Sequence, residues 1–104
     1  MANSYDSKRD VFYYNYDKAY APTRDAALVT PDDANDLPVY GKLAVFNAGA
    51  GAEVIRVVPV AKQDDAAYVD LKVPPGLTVI NWLIVRAVRA TGTGADITAW
   101  LLTT

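Results

Sequence analysis

The sequence predicts an all-β protein, a small antiparallel β-sandwich or barrel with an extended N-terminal arm. From residue 42 onward, short runs of β-branched and aromatic residues alternate with turns rich in Gly, Pro and Asp. That spacing is typical of small sandwiches and barrels. Residues 1–28 instead hold five of the seven tyrosines and no long aliphatic run. We therefore divide the chain into an arm, residues 1–28, and a β domain, residues 29–104.

The arm is predicted to be an interaction segment. Residues 11–16 have strand propensity, and tyrosine offers a large contact area with few rotatable bonds. An extended aromatic segment can add a strand to a neighbouring sheet. The alternative is that the arm folds back as an edge strand of its own domain. Its expected anchors are Tyr5, Phe12, Tyr13, Tyr14, Tyr16 and Tyr20.

A short helix is predicted between the arm and the sheet. Thr30 is suited to cap it, Pro31 to occupy its first position, and Asp33 to lie near the positive end of the helix dipole. Pro38 cannot continue a helix. One or two helical turns are therefore expected over residues 30–37.

The β domain is predicted to contain five strands separated by turns. The second breaks or bulges at Pro59, the third alternates with one face exposed to solvent, and the fourth is one long strand or a bent pair. The glycine-rich residues 48–52 are expected to form a hairpin turn. The strands are predicted over residues 42–47, 53–62, 67–73, 77–90 and 97–102.

The last two predicted strands are apolar on both faces. A single small barrel has only one interior, and leaving several such side chains in water would forgo several kcal/mol at about 25 cal/mol per Å². We therefore expect the arm or another subunit to cover the second face. The residues expected in the core or in subunit contact are Trp82, Val85, Val88, Trp100 and Leu102.

Composition argues against an enzyme and against several kinds of ligand. The chain has no His and no Cys, the commonest general bases, nucleophiles and transition-metal ligands. Asp32, Asp33 and Asp36 lack the spacing of a calcium loop, so turn formation and capping are expected of them. We expect no catalytic residue, no metal and no cofactor.

Charge and hydropathy argue against nucleic acid and membrane partners. A net charge of -2 gives no general attraction to polyanions. The longest apolar stretch, residues 77–85, is interrupted by Asn81 and is too short to cross a bilayer. The polar N-terminus shows no secretory signal, so the chain is expected to stay inside the producing cell.

Four segments resemble one known family. Residues 29–38 ("VTPDDANDLP"), 42–54, 73–76 ("VPPG") and 85–100 are together similar to the small head-spike base proteins of gene transfer agents and related tailed bacteriophages. The resemblance implies a non-enzymatic virion structural protein on the capsid surface, as a spike base or a decoration protein. The implied partners are the major capsid protein, a spike or fibre protein, and further copies in a trimer or pentamer. Such a protein is made in the host cytoplasm.

Two other functions remain open at this level. One is a tail or adaptor component of the same kind of particle. The other is a small ligand-binding β-sandwich, such as a carbohydrate-binding module, in which exposed Trp and Tyr side chains stack on sugars.

Overall fold

The computed structural model describes Arg9, residues 25–64 and residues 66–103. Within this part of the chain the regular elements are strands, with no α-helix, so the predicted all-β fold is confirmed. The strands are β1 (Asp25–Val29), β2 (Gly41–Asn47), β3 (Glu53–Pro59), β4 (Val69–Val73), β5 (Gly76–Arg89) and β6 (Ile97–Thr103).

The strands form one antiparallel sheet in the order β1-β6-β2-β5-β3-β4. The first half of β5 pairs with β2, and its second half pairs with β3. Ile80 and Val85 of β5 are five residues apart, but their partners on β2, Leu43 and Gly41, are only two residues apart. The predicted fourth strand is therefore one long strand with a wide bulge, and that bulge separates its two pairing regions.

The sheet folds over on itself around one core. Val29 of β1 and Leu43 of β2 belong to the same buried cluster as Ile55 and Val57 of β3 and Val73 of β4. Strands from both ends of the sheet thus contribute to a single interior. This arrangement agrees with the predicted small sandwich or barrel.

Two local predictions for β3 and β4 are confirmed. The pairing of β3 with β5 shifts register between Val58 and Pro59, where β3 ends. Along β4, burial alternates between half-buried and exposed side chains and ends at the buried Val73. Proline has no N–H to donate to the ladder, which explains the interruption at residue 59.

The glycine-rich connection between β2 and β3 is not the hairpin turn expected from the sequence. These strands are not neighbours, because β5 lies between them. The loop is held instead by Asn47, whose Nδ2 donates to the carbonyls of Gly51 at 2.9 Å and Val73 at 3.0 Å. Its Oδ1 accepts a hydrogen bond from Gly49 N at 2.8 Å.

The helix expected over residues 30–37 is also wrong. The segment runs beside β5: Asp32 N donates to Val88 O at 2.9 Å, and Leu37 N donates to Arg86 O at 2.7 Å. The Asp32 side chain forms a local turn by accepting from Ala34 N at 2.7 Å. Backbone N–H groups that a helix would bond to its own carbonyls are instead bonded to strand β5, about 50 residues away along the chain.

The predicted aromatic arm falls almost entirely outside the described residues, so its extended form and its anchors stay predictions. These anchors are Tyr5, Phe12, Tyr13, Tyr14, Tyr16 and Tyr20. Among the described residues of the arm, Arg9 contacts the domain, since Tyr40 N donates to Arg9 O at 2.7 Å. Strand β1 crosses the predicted boundary between residues 28 and 29, so the arm as predicted supplies part of the sheet.

Candidate functional site

The candidate site is the outer surface of β1, β6, β2 and the first half of β5. Directly paired residues of antiparallel strands point to the same side of a sheet. One row across the four strands runs from Leu28 through Trp100 and Ala44 to Val79. Including the adjacent rows, this outer face consists of Ala26, Leu28, Lys42, Ala44, Phe46, Leu77, Val79, Thr98, Trp100 and Leu102.

The outer face is apolar apart from Lys42 and Thr98, and much of it is exposed. The exposed fraction is 68% for Leu28, 64% for Leu77 and 49% for Val79. The outer face spans four strands, which lie about 4.8 Å apart, and five residues along each strand at about 3.4 Å per residue. Its projected area is therefore roughly 300 Å². A contiguous apolar patch of that order is comparable with the largest patch on a typical monomer, and such patches are often functional.

Local alternation explains why these side chains point outward. In β2, Leu43, Val45 and Asn47 are buried, which leaves Phe46 and its alternate neighbours on the other side. In β6, Ala99 and Leu101 are in the core, so Trp100 points away from it. Successive side chains of a strand point to opposite sides of the sheet, and one side of β2 and β6 already fills the core. The apolar residues between the core residues therefore point outward.

The two ends of the outer face differ in charge. Lys42 lies in the row at one end, opposite Leu102. At the other end, Ala48 N donates to Asp96 O at 3.1 Å and extends the pairing of β2 with β6 by one row. Asp96 N in turn donates to Glu53 Oε1 at 3.3 Å. One end therefore carries an ammonium group, and the carboxyl group of Asp96 lies beside the other. Glu53 is directly paired with the buried Val73 and so points to the core side of β3.

The two carboxyl groups affect each other. The hydrogen bond between the Glu53 and Asp96 side chains raises the pKa of Glu53, and desolvation and the negative charge of Asp96 act in the same direction. The raised pKa means that the surroundings of the Glu53 carboxyl group disfavour its ionised form. A cation brought close to this end would relieve that repulsion.

A second surface feature lies on the opposite half of the sheet. Arg56 forms a two-pronged ion pair with Asp70, at 2.8 and 3.1 Å, and its guanidinium lies 3.9 Å from the centroid of the Tyr68 ring. The ion pair lowers the pKa of Asp70. One face of the Tyr68 ring is thus occupied by a protein group, which leaves less of it for stacking on a ligand.

This feature borders a shallow cavity of about 210 Å³, lined in part by Asp33, Arg89 and Thr91. Thr91 donates to Asp33 through its hydroxyl at 2.6 Å and through its N–H at 2.9 Å, and these bonds lower the pKa of Asp33. Arg89 Nη1 donates to Asp32 O at 3.3 Å. The lining thus holds two guanidinium groups, of Arg56 and Arg89, and one carboxylate, of Asp33, and Arg56 is already paired with Asp70.

The carboxylates considered as possible metal ligands point to different partners. Asp32 accepts from nearby backbone, Asp33 binds Thr91, and Asp36 is completely buried against Arg86. Among the described residues, no group of three or more Asp or Glu side chains is placed to hold a metal ion. Nor does any helix in that part of the chain have the length and apolar character needed to cross a membrane.

The structure separates the five residues expected in the core or in subunit contact. Val85 and Val88 are in the core. Trp100 and Leu102 are half-buried on the outer face. Trp82 lies in the bulge of β5 with 70% of its surface exposed.

Sequence reasoning did not single out several residues that dominate the outer face. Phe46 occupies an alternate position of a predicted strand, so alternation in the sequence is the signal that places it on this face. Leu28 belongs to the predicted arm, and Leu77 and Val79 join the outer face only because the first half of β5 pairs with β2.

No known family model matches the chain, and no curated protein matches it.

Proposed function

We propose that the protein is a non-enzymatic structural component of a virion or phage-like particle, attached to the capsid as a spike base or decoration protein. The observation that carries this proposal is the exposed apolar outer face. The resemblance of the sequence to head-spike base proteins supplies the class of particle. On this proposal the chain is made in the host cytoplasm, and its partners are the major capsid protein, a spike or fibre protein and further copies of itself.

The energetic argument for assembly is direct. Leu28 and Leu77 are each about two-thirds exposed. Burying a leucine side chain fully is worth about 1.5–3 kcal/mol, so these two alone offer a few kcal/mol to a partner. The rest of the face adds to this, and its single lysine lies in the end row, where the ammonium group can stay in water. A surface of this kind binds proteins more readily than it binds small polar molecules.

Several acidic side chains are held by structural partners, which supports a non-catalytic role. Asp36 and Arg86 neutralise each other in the interior, and Asp70 and Arg56 do so at the surface. Asp33 is held by Thr91. General acid–base catalysis needs a carboxyl group that can reach a substrate, and each of these has a structural partner.

A sugar-binding function is the alternative that one observation favours. Trp82 presents most of its indole to solvent, as a stacking platform for a pyranose ring would. Tyr68 contributes less, because Arg56 already lies over its ring. Tryptophan fluorescence separates the two functions: quenching by sugars that is lost in Trp82→Ala would support the alternative.

The decisive experiment is quantitative mass spectrometry of purified particles from cells that produce the chain. We expect the wild-type chain in a fixed ratio to the capsid protein. Val79→Asp places a charge in the middle row of the outer face, on an exposed position of β5, and should reduce incorporation strongly. Ala61→Asp adds the same charge in an exposed loop and is the matched control. Absence of the wild-type chain from particles, or equal incorporation of both variants, would contradict the proposal.

A further inference from the structure

We propose that strand β4 of one copy pairs with β4 of a second copy, antiparallel and about a two-fold axis at Leu71, so that the two sheets join edge to edge. In this contact Asp70 of each copy lies opposite the partner's Lys72. The inference goes beyond the proposed function, because it concerns the edge of the sheet rather than its outer face and needs no particle. It names the occupant of that edge, a second copy of this chain, and the register of the pairing.

Strand β4 is an edge of the sheet. All of its residues pair with β3 on one side, and no strand of the described residues pairs with it on the other. An edge strand presents backbone N–H and C=O groups that can bond to a further strand. Pro74 and Pro75 follow directly and have no N–H, so pairing with a partner cannot extend past Val73.

Symmetry restricts the register of such a pairing. Directly opposed residues of antiparallel strands point to the same side of a sheet, whereas successive residues of one strand point to opposite sides. A two-fold axis must therefore place one residue of β4 opposite its own copy. An axis at Asp70 opposes two carboxylates, and an axis at Lys72 opposes two ammonium groups. An axis at Leu71 instead sets opposite charges against each other twice, and it pairs the whole strand.

The two charged side chains are available for this contact. Both are exposed, and they lie on the side of β4 that points away from the core. Asp70 already binds Arg56, but 42% of its side chain stays exposed and a carboxylate accepts more than two hydrogen bonds. The Lys72 side chain forms no hydrogen bond or ion pair with any other described residue.

The charges of the resulting row alternate in sign. Arg56 of β3 lies opposite Asp70 of β4, which in the proposed register lies opposite the partner's Lys72. The Cβ atoms of directly opposed residues are about 5 Å apart, well within the reach of a lysine side chain. The ion pair with Arg56 lowers the pKa of Asp70, so this carboxylate stays ionised to receive the second cation.

The core side of β4 adds apolar contacts. Val69 and Leu71 are half-buried, and Leu71 packs against the core of its own copy. In the proposed register Leu71 lies beside the partner's Leu71, and Val69 lies opposite the partner's Val73. Each copy therefore covers apolar surface that the other leaves open at the edge of its core.

The contact is short but selective. One strand of five residues buries far less than the ~800 Å² per partner of a stable complex, so we expect a dimer that dissociates on dilution. Charged residues on an edge strand discourage pairing with most other strands. Here they disfavour the shifted registers and favour the one in which each charge has a partner.

Sedimentation equilibrium of the full chain, as wild type and as two charge variants, tests the contact. Lys72→Asp sets carboxylates against each other at both ends of the pairing, and Asp70→Lys does the same with ammonium groups. Each variant alone should dimerise at least about tenfold more weakly than the wild type. Lys62→Asp makes the first change of charge in an exposed loop and should have no effect. Circular dichroism and thermal melting of each variant exclude loss of folding as the cause.

Mixing the two charge variants is the sharpest arm of the test. In the mixed dimer, both acidic residues of the Lys72→Asp chain lie opposite the two lysines of the Asp70→Lys chain. Association in the mixture should return to within about threefold of the wild type. A mixture that associates no better than its components would overturn the proposed register.

A cysteine at the axis tests the register independently. The chain has no cysteine of its own, and Leu71→Cys places two thiols opposite each other at nearly the Cβ separation that a disulfide needs. Under mild oxidation this variant should form covalent dimers at least about tenfold faster than Leu77→Cys, because pairing concentrates the two thiols. Leu77 is 64% exposed, so its variant measures crosslinking by chance collision. Equal rates would overturn the proposal.

The outcomes distinguish this inference from the proposed function. A wild-type chain that stays monomeric at high concentration overturns the inference, and the incorporation of the chain into particles still tests the proposed function. If the dimer forms as expected but particles contain no chain, the inference survives and the proposed function fails.

Discussion

Arg86 and Asp36 form an ion pair that is completely buried, with Arg86 Nη1 at 2.7 Å from Asp36 Oδ1 and both side chains at 0% exposure. Tyr40 donates its hydroxyl to the same carboxylate at 3.0 Å. Arg86 Nε also donates to the carbonyl of Lys62 at 3.0 Å. The pair thus joins three parts of the chain: the segment beside β5, strand β5 itself, and the loop after β3.

Removing one partner of this pair should be strongly destabilising. Arg86→Met leaves the Asp36 carboxylate buried without its cation, which costs about 3–5 kcal/mol of unfolding free energy. The double variant Arg86→Met with Asp36→Leu should recover part of that loss, since it leaves no unpaired charge. Urea denaturation measures all three proteins. A single variant as stable as wild type would show that the pair contributes nothing.

The exposed pair of Arg56 and Asp70 is the matched comparison for that experiment. Its side chains are partly open to solvent, at 22% and 42%. Solvent and salt screen such pairs. Asp70→Asn should therefore change the unfolding free energy far less than Arg86→Met does.

Asn47 should be the most sensitive uncharged polar residue of the domain. It is 1% exposed, and its amide nitrogen satisfies the carbonyls of Gly51 and Val73. Asn47→Ala leaves buried backbone groups without partners, at a cost of about 1–3 kcal/mol. Asn35→Ala removes an exposed amide and should change stability by less than about 0.5 kcal/mol. Thermal unfolding of the two variants makes the comparison, and equal effects would contradict it.

Gly92 should not tolerate a side chain. Its φ of +96° is in the region that L-residues rarely adopt, and a Cβ there would meet the guanidinium of Arg56. Gly92→Ala should lower the unfolding free energy by more than about 1 kcal/mol. Gly51→Ala is the control, because a Cβ at that position meets no atom within 4 Å. Chemical denaturation should show the first effect without the second.

Acid should destabilise the domain in part through Asp33. The hydrogen bonds from Thr91 lower the pKa of Asp33 in the folded state. The unfolded chain therefore binds a proton at the Asp33 carboxylate more readily than the folded chain does. The stabilisation from Asp33 is present above about pH 3.9 and is lost as the pH falls through the lower pKa that this group has in the folded state. Thr91→Val should reduce this loss between pH 6 and pH 3, while Thr91→Ser should retain it. Urea titrations at both pH values test the difference.

The local part of the fold could be predicted from the sequence, and the long-range part could not. Alternation and turn residues indicated most of the strands because those signals are contained in a few neighbouring residues. The predicted helix failed because the N–H groups of Asp32 and Leu37 bond to carbonyls of Val88 and Arg86, for which the segment itself carries no signal.

The same distinction applies to the candidate site. The apolar character of both faces of β6 was visible in the sequence and correctly indicated surplus apolar surface. The position of that surface depends on the order of the strands, which places Leu28 beside Trp100 and Phe46 beside Leu77. The partner of Arg86 was equally hidden, since Asp36 lies 50 residues away along the chain.

Strand β5 contributes hydrogen bonds to both halves of the sheet, to β2 through residues 76–80 and to β3 through residues 85–89. Neither half can separate from the core without breaking bonds on the strand that supports the other. We therefore expect the two halves of the described sheet to unfold together rather than one after the other. Its central amides should exchange with deuterium through one cooperative, global unfolding event.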